Sequence, residues 1–396
     1  MMTQTTSIPP VSAVHPAPLR ETPARVARLK GEVVYLYAFD IAWELNRLPV
    51  RELLGQPVGQ FVVGASKRAP RQMSFYRPEM IRLPPLERLG PRGLVRVERT
   101  VKVLPVGAIS ITVRVPFEVD SVDELVAFHD LRFRDGAYLY DEVRQLAEQV
   151  RLELAPYSIR PHPALGDEEA YTVFCIHSPL TSSEGEPIST EAWMQSRRRE
   201  VAALLTEEND AAHLSHQEAD ESTGKHFSYY EKDVVVIDWD AAMIVDEPKY
   251  FDEILYVMEL ANIQLTELEA YDRLLDTTVE RSYRDLNARR IGFGLGASAG
   301  VQRELREIRI DLARLSDELS NITKFFGDWH IARIYQGLAA RFHLNDWHRA
   351  IDDKLKTLDD LYQLLRSDQS NRWMLVLEAT IVLLFIIDLI AIFFAK

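Results

Sequence analysis

Acidic, thiol and imidazole side chains supply the first candidates for chemistry in this sequence, and each group is incomplete. Asp238 and Asp240, followed shortly by Asp246, offer the oxygen ligands that hard cations prefer. A magnesium or calcium ion takes about six oxygens, however, so carboxylates facing solvent at a strand edge explain these aspartates better. Cys175 and His177 would share one face of a strand, but their spacing is not that of a zinc site.

A glycine-rich run at residues 291–300, IGFGLGASAG, has the composition of a phosphate-binding loop without its context. It follows a predicted helix instead of a strand, so it lacks the setting in which a helix N-terminus binds phosphate. Ser298 has the spacing of a nucleophile motif only because glycines flank it. We therefore predict a hinge or interhelical turn here. We expect no catalytic residues, no metal site and no cofactor, and thus no enzyme.

The longest apolar run lies at residues 373–394 and contains two acids, Glu378 and Asp388. As a helix it would be about 33 Å long, enough to cross a bilayer core of about 30 Å. The run predicts a transmembrane helix that acts as a tail anchor and makes lipid one partner. The protein would then be single-pass, with its N-terminal body in the cytoplasm, in a bacterial or a mitochondrial inner membrane.

Carboxylates inside a membrane helix need an explanation, because each costs on the order of 2.5–3.5 kcal/mol at mid-membrane. Ten residues at about 100° each place Glu378 and Asp388 on one side of the helix. This side predicts a contact with another helix, most simply that of a second copy, so we expect a homo-oligomer. The alternative is that both carboxylates lean toward the nearest membrane surface.

Composition excludes some classes of protein. The formal net charge of −14 argues against direct DNA binding, because phosphate contacts need a basic surface. A single cysteine rules out an internal disulfide framework. Residues 47–102 are basic although the whole chain is acidic, with 12 Lys and Arg against 4 Asp and Glu. They predict either solvated loops and strand faces or a surface for lipid headgroups or an RNA-containing partner such as a ribosome.

The pattern changes along the chain divide it into four segments. Residues 1–30 are rich in Pro, Thr and Ala and predict a disordered tail. Residues 31–246 show strand alternation with some helical spacing and predict a soluble α+β domain. Residues 249–370 have apolar residues three and four apart, which predicts a long antiparallel helical hairpin or coiled-coil stalk. The transmembrane helix at 373–394 follows.

Several elements are predicted inside the α+β domain. The turn at residues 105–107 predicts a long hairpin, and residues 171–178 predict a buried strand. Ser121 is a plausible N-cap for a short helix, and residues 191–210 predict one longer helix. The polar stretch at 213–228 predicts a flexible loop. In the helical part, the most regular heptad spacing covers residues 305–326. A third helical unit at residues 351–365 follows, and only a polar stretch at 367–372 separates it from the predicted transmembrane helix.

Over about 140 of the 396 residues, from Phe251 to Ile390, the chain resembles the family of "required for meiotic nuclear division" proteins. The likeness lies in MELANIQLTELEAYDRLLD, in FFGDWHIARIYQGLAARFHLNDWHRAIDDKLK and in LEATIVLLFIID. Asn stands where the first family motif usually has Ser, and Asp388 replaces the terminal Glu. The matching positions are Asn262, Leu265, Glu269, Tyr335 and Leu377.

The resemblance implies a membrane-attached protein with a helical stalk, and it brings no catalytic residues. Its mitochondrial members support organelle translation as tethers. We therefore expect a tail-anchored, homo-oligomeric scaffold that recruits a protein partner or a ribosome. The alternative is an oligomeric ion-transport assembly, similar to CorA-type magnesium channels, with the membrane acids lining a pore. An enzyme hidden in residues 31–246 would require a pocket with converging polar groups.

Overall fold

The computed structural model describes most of the chain and leaves its ends and several internal stretches out. The predicted tail up to residue 27, the glycine-rich run with Ser298 and nearly all of the heptad segment lie outside the described residues. Those residues are 28–45, 50–61, 78–90, 93–182, 184–289, 306, 309–310 and 329–394.

Ten of the described strands form one mixed sheet. They are β1 (Leu29–Asp40), β5 (Gly59–Gln60), β6 (Glu79–Arg82), β7 (Leu86–Gly90), β8 (Gly93–Val103), β9 (Ala108–Val119), β11 (Glu169–His177), β12 (His226–Phe227), β13 (Val234–Ile237) and β14 (Ala241–Asp246). Their order is β12-β13-β14-β11-β1-β9-β8-β6-β5, with β7 paired to β8. Among these pairs β11 and β14 run parallel, while β1 is antiparallel to both of its neighbours. Two short pairs lie outside the sheet: β2 (Ala42–Leu45) with β10 (Ser158–Pro161), and β3 (Glu52–Leu53) with β4 (Gln56–Pro57).

Helices cover both faces of this sheet. The described helices are α1 (Leu139–Leu154), α2 (Thr190–Ser196), α3 (Arg198–Leu205), α4 (His216–Ser222), α5 (Pro248–Arg289), α6 (Trp329–Arg341) and α7 (Leu344–Phe394). Two short 3₁₀ helices, Asp123–Phe128 and Ala155–Tyr157, connect strands to α1 and α1 to β10.

The side chains of β1 alternate between the two faces of the sheet, and helices cover each face, so the fold has three layers. Every residue of β1 from Val33 to Phe39 is buried, because the strand has helices on both sides. Val33 and Tyr35 pack in the cluster that includes α1, α2 and α3, while Val34 and Leu36 pack in the cluster with α5, α6 and α7. The mixed α+β class is therefore confirmed, and the first half of α5 lies on the sheet.

Two predicted elements are found where local pattern placed them. β8 and β9 form the long hairpin, and Gly107 in its turn has φ of 96°. A Cβ there would lie 1.9 Å from the carbonyl oxygen of Ala42, so both the backbone conformation and the space require glycine. The buried strand predicted at 171–178 is β11.

Three other local predictions were wrong. Ser121 is not an N-cap, since a 3₁₀ helix at 123–128 starts after Val122. The helix predicted at 191–210 is broken at Arg197 into α2 and α3, which lets the apolar faces of both pieces reach the same core cluster. The loop predicted at 213–228 contains α4 and β12.

The prediction of a membrane anchor is also corrected. Among the residues described, no helix is long and apolar enough to cross a membrane. Residues 373–394 belong to α7, which continues unbroken through the polar stretch at 367–372. The transmembrane helix, the tail anchor and the single-pass membrane location were therefore wrong.

A buried ion pair fastens α5 to the sheet. Lys102 of β8 pairs with Glu259 of α5, and both side chains are buried. Ser110 of β9 donates a 2.6 Å hydrogen bond to the other carboxylate oxygen of Glu259, and the Lys102 ammonium lies 4.0 Å from the ring centre of Phe61. Removing one partner would leave the other charge buried without compensation.

We expect Lys102→Met to lower the free energy of unfolding by about 3–5 kcal/mol, because Glu259 then stays buried and unpaired. Replacing both residues, Lys102→Met with Glu259→Leu, should restore most of that loss, because no buried charge remains. Chemical denaturation of the wild type and both variants measures the difference. A single variant as stable as the wild type would contradict the role given to this pair.

Candidate functional site

The first half of α5 carries a row of buried polar side chains where a helix between two packed layers would ordinarily be apolar. We call this set the polar row: Glu259, Asn262, Gln264, Thr266 and Glu267. On one side, the Asn262 amide donates to the carbonyl oxygens of Glu169, at 2.9 Å, and Leu36. On the other side, Gln264 accepts a 2.6 Å hydrogen bond from the Tyr335 hydroxyl of α6. The polar row thus connects the sheet to α6.

A pair of carboxyl groups lies at the end of the polar row. Glu169 begins β11, and Glu269 follows Asn262 by two helical turns, so both α5 residues face the same side. Burial, together with a hydrogen bond to Glu269 and its charge, raises the pKa of Glu169 to about 8. Glu169 is therefore the carboxyl of this pair that keeps its proton as the pH rises toward neutral. Arg273, one turn further along α5, pairs with Glu269 at 3.7 Å.

A histidine–aspartate pair lies near this carboxyl pair. His162 Nε2 lies 2.9 Å from a carboxylate oxygen of Asp40, at the end of β1. The hydrogen bond to Asp40 raises the pKa of His162 against the opposing effect of burial, and the charge of Arg273 is close enough to lower it in part. Arg273 therefore acts on both pairs.

This arrangement can hold and exchange protons. Two carboxyl groups in hydrogen-bond contact share one proton, because both cannot be charged in a half-buried setting. Across the described residues, no group of three or more His, Cys, Asp or Glu side chains is placed to bind a metal ion. The carboxyl pair also ties the middle of α5 to the start of β11 as long as the proton is present.

The structure separates the residues of the family resemblance into three groups. Asn262 and Glu269 belong to the site, whereas Leu265 and Tyr335 pack in the buried cluster between the sheet and the helices. Leu377 and Glu378 are exposed on α7. The side chain of Asp388 lies outside the described residues. A large part of the basic stretch at 47–102 lies outside them as well, so the ribosomal partner predicted for that stretch stays a prediction.

Among the described residues, the aspartates considered first do not form a group that could bind a metal ion. Asp238 lies before β14 and accepts a 2.8 Å hydrogen bond from Arg341 at the end of α6. Asp246 ends the same strand, where burial raises its pKa to about 6. Asp238 therefore fastens α6 to the sheet.

Cys175 and His177 lie on the same face of β11, as strand geometry predicts. Burial raises the pKa of the Cys175 thiol well above its usual range. The ring of His177 packs 5.9 Å from that of Phe251 on α5. Both side chains therefore contribute to the packing of α5 on the sheet.

Sequence reasoning missed Glu169, His162 and Asp40. No local pattern marks them, because each comes from a different element and they meet only when β1, β10 and β11 align. Glu269 was named only as a motif position, and its partner was not foreseen. The polar side chains among the apolar positions of α5 were the one feature of the sequence that could have indicated this site.

These features define a three-layer α+β protein in which a helix with a buried polar row packs on a mixed sheet. Residues 30–252 match the family described as the N-terminal domain of the uncharacterized protein MJ0711, and the chain belongs to this family. The chain is 23% identical over 274 residues to the uncharacterized protein MJ0711 of Methanocaldococcus jannaschii, which covers 69% of this chain and 79% of that protein. No solved structure matches the chain. The resemblance to the meiotic nuclear division family stays a prediction.

We expect the stability of the wild type to fall as pH rises between about 4.5 and 8. The folded state holds a proton on Glu169 that the unfolded state has already released in this range, so unfolding is favoured as pH increases. Glu169→Gln keeps a hydrogen-bond donor but cannot ionise. Its free energy of unfolding should therefore fall less over this pH range, by about 1–2 kcal/mol, a value discounted for partial exposure.

Chemical denaturation at pH 5, 7 and 9 provides the measurement. Glu280→Gln is the matched control, since Glu280 lies on the same helix with 72% of its side chain exposed. Parallel pH profiles for wild type and Glu169→Gln would show that the carboxyl pair does not hold a shared proton.

Proposed function

We propose that this protein is a self-assembling scaffold, in which the α+β body is joined to copies of itself through α7. The observation that supports this is the apolar surface of α7 between Met374 and Ile387, which we call the apolar segment. Eleven large apolar side chains there are between 47% and 72% exposed: Met374, Leu375, Val376, Leu377, Ile381, Val382, Leu383, Leu384, Phe385, Ile386 and Ile387.

The size of this surface indicates a protein interface. Exposed apolar patches beyond a few hundred Å² mark interaction sites. With roughly half of each side chain exposed, these residues present on the order of 1,000 Å², which exceeds the roughly 800 Å² that each partner contributes to a standard interface. An isolated helix that is apolar on all sides is not stable in water, so the apolar segment needs a cover.

A second copy is the occupant that fits this surface best. Each copy supplies an identical helix of the same length, and closed symmetry lets equal surfaces cover each other. Because the segment is apolar around its circumference, a bundle of several such helices covers it more completely than one neighbour does. Glu378 lies within the segment, and a single polar residue in such a bundle fixes the register at some expense of stability.

The carboxyl pair and the polar row serve this function by positioning α7. They fix α5 on the sheet, and α5 in turn holds α7, because Lys354 of α7 lies 2.6 Å from carboxylate oxygens of both Asp272 and Asp276. The apolar segment is therefore presented at a defined place relative to the body. The ion-transport alternative depends on a membrane-spanning helix, which the described residues do not supply.

Replacing Leu377 and Leu384 by Glu should dissociate the assembly. The two residues are two turns apart on one face, so the double variant places like charges in the middle of the proposed bundle. We expect an oligomer for the wild type and a monomer for the variant in sedimentation equilibrium at micromolar concentration.

The matched control replaces Leu94 and Leu152 by Glu, two leucines of the body with similar exposure, at 66% and 58%. This control should stay oligomeric. A wild type that sediments as a monomer would refute self-assembly, and equal dissociation of both double variants would refute the assignment of the interface to α7.

A further inference from the structure

A cleft of about 300 Å³ lies between β12 and α6, away from both the carboxyl pair and the apolar segment. Its floor is preformed: the Phe227 ring packs on Gly337, where a Cβ would come within 2.6 Å of the ring. Arg333, Gln336 and Gly337 line it from α6, because residues three and four apart share one helix face. Only glycine at 337 lets the strand and the helix approach this closely.

The cleft is basic on an acidic protein. Lys225 and His226 line it from the strand side and Arg333 from the helix, and its described lining contains no acid. The Arg333 guanidinium lies 5.5 Å from the ring centre of Phe227. Within the part of the chain that the structure describes, Lys225 and Arg333 form no ion pair. With a formal net charge of −14 over the whole chain, two cations kept together without an acid indicate an anionic ligand.

Aromatic side chains extend the cleft into a longer surface. Trp329, one turn before Arg333 on α6, is 72% exposed, and more than half of Tyr229 and Tyr230 is exposed as well. The ring of Tyr229 packs 5.6 Å from that of His330, which connects this rim to α6. Trp, Tyr and Arg are the residue types that dominate the energetics of protein interfaces.

We propose that the cleft and its aromatic rim bind an acidic linear segment of a partner protein. Carboxylates of the segment would contact Lys225 and Arg333, and an apolar or aromatic residue beside them would pack on Trp329. A peptide fits better than a free anion, because the surface is longer than one anionic group and β12 ends the strand order, where an extended chain can lie alongside. A nucleic acid fits less well, because it carries a phosphate at every nucleotide, whereas the cleft offers only Lys225 and Arg333 on a chain with a net charge of −14.

This inference rests on the proposed function, because it supplies the class of partner that the scaffold would hold. The test uses the full chain and a fluorescein-labelled peptide of alternating Glu and Phe, with fluorescence anisotropy at low and at physiological salt. We expect Lys225→Glu combined with Arg333→Glu to weaken binding at least tenfold. Trp329→Ala should weaken it less and leave its salt dependence unchanged, because no charge is altered.

The matched control is Arg82→Glu combined with Lys356→Glu, which makes the same charge change at two exposed positions elsewhere. It should bind the peptide like the wild type, and a peptide with Gln in place of Glu should bind weakly to all variants. Equal binding by the control and the cleft variant would overturn the proposal. So would a wild type that binds a single-stranded oligonucleotide or inorganic phosphate more tightly than the peptide.

The double variant of α7, Leu377→Glu with Leu384→Glu, distinguishes the two proposals. If this variant is monomeric and still binds the peptide, the apolar segment and the cleft are supported as two independent binding surfaces. Loss of peptide binding in the cleft variant, with its oligomeric state unchanged, supports the cleft. A wild type that assembles but does not bind the peptide would refute the cleft alone.

Discussion

The buried charge of Glu259 is the constraint on which the rest of the structure depends. A carboxylate removed from water is tolerated only with a compensating cation and hydrogen bonds, and Lys102 and Ser110 provide them from two adjacent strands. This requirement fixes α5 in one rotation and one position on the sheet. Polar groups in a core often add little stability, but they exclude alternative packings that an apolar helix would permit.

Contacts from α5 in turn position the two helices that pack beside it. Gln264 holds Tyr335 of α6, and the two aspartates beside Lys354 hold α7. The carboxyl pair adds a tie that depends on a proton, so the attachment of α5 to β11 weakens when that proton leaves. The three surfaces considered for function, namely the carboxyl pair, the cleft and the apolar segment, are therefore all positioned by α5 and its neighbours.

The family match ends on α5 before the polar row begins. The matched residues end at 252, the fifth residue of that helix, so the family domain contains the sheet, the helices α1 to α4 and the strand positions that receive α5. The polar row itself begins at Glu259, beyond that boundary. The sheet thus offers Lys102, Ser110 and the carbonyl of Glu169 as a docking surface for a helix that carries matching polar side chains.

The sequence by itself determined the elements that depend on near neighbours. The buried strand predicted at residues 171–178 is β11, and the turn predicted at residues 105–107 joins β8 to β9. The sequence also revealed the apolar character of the last helix, although not its role. Only the tertiary structure decided that Glu169 lies beside Glu269 and that Lys225 and Arg333 line one cleft. Such pairs join segments far apart in the chain, and side-chain periodicity carries information about one element at a time.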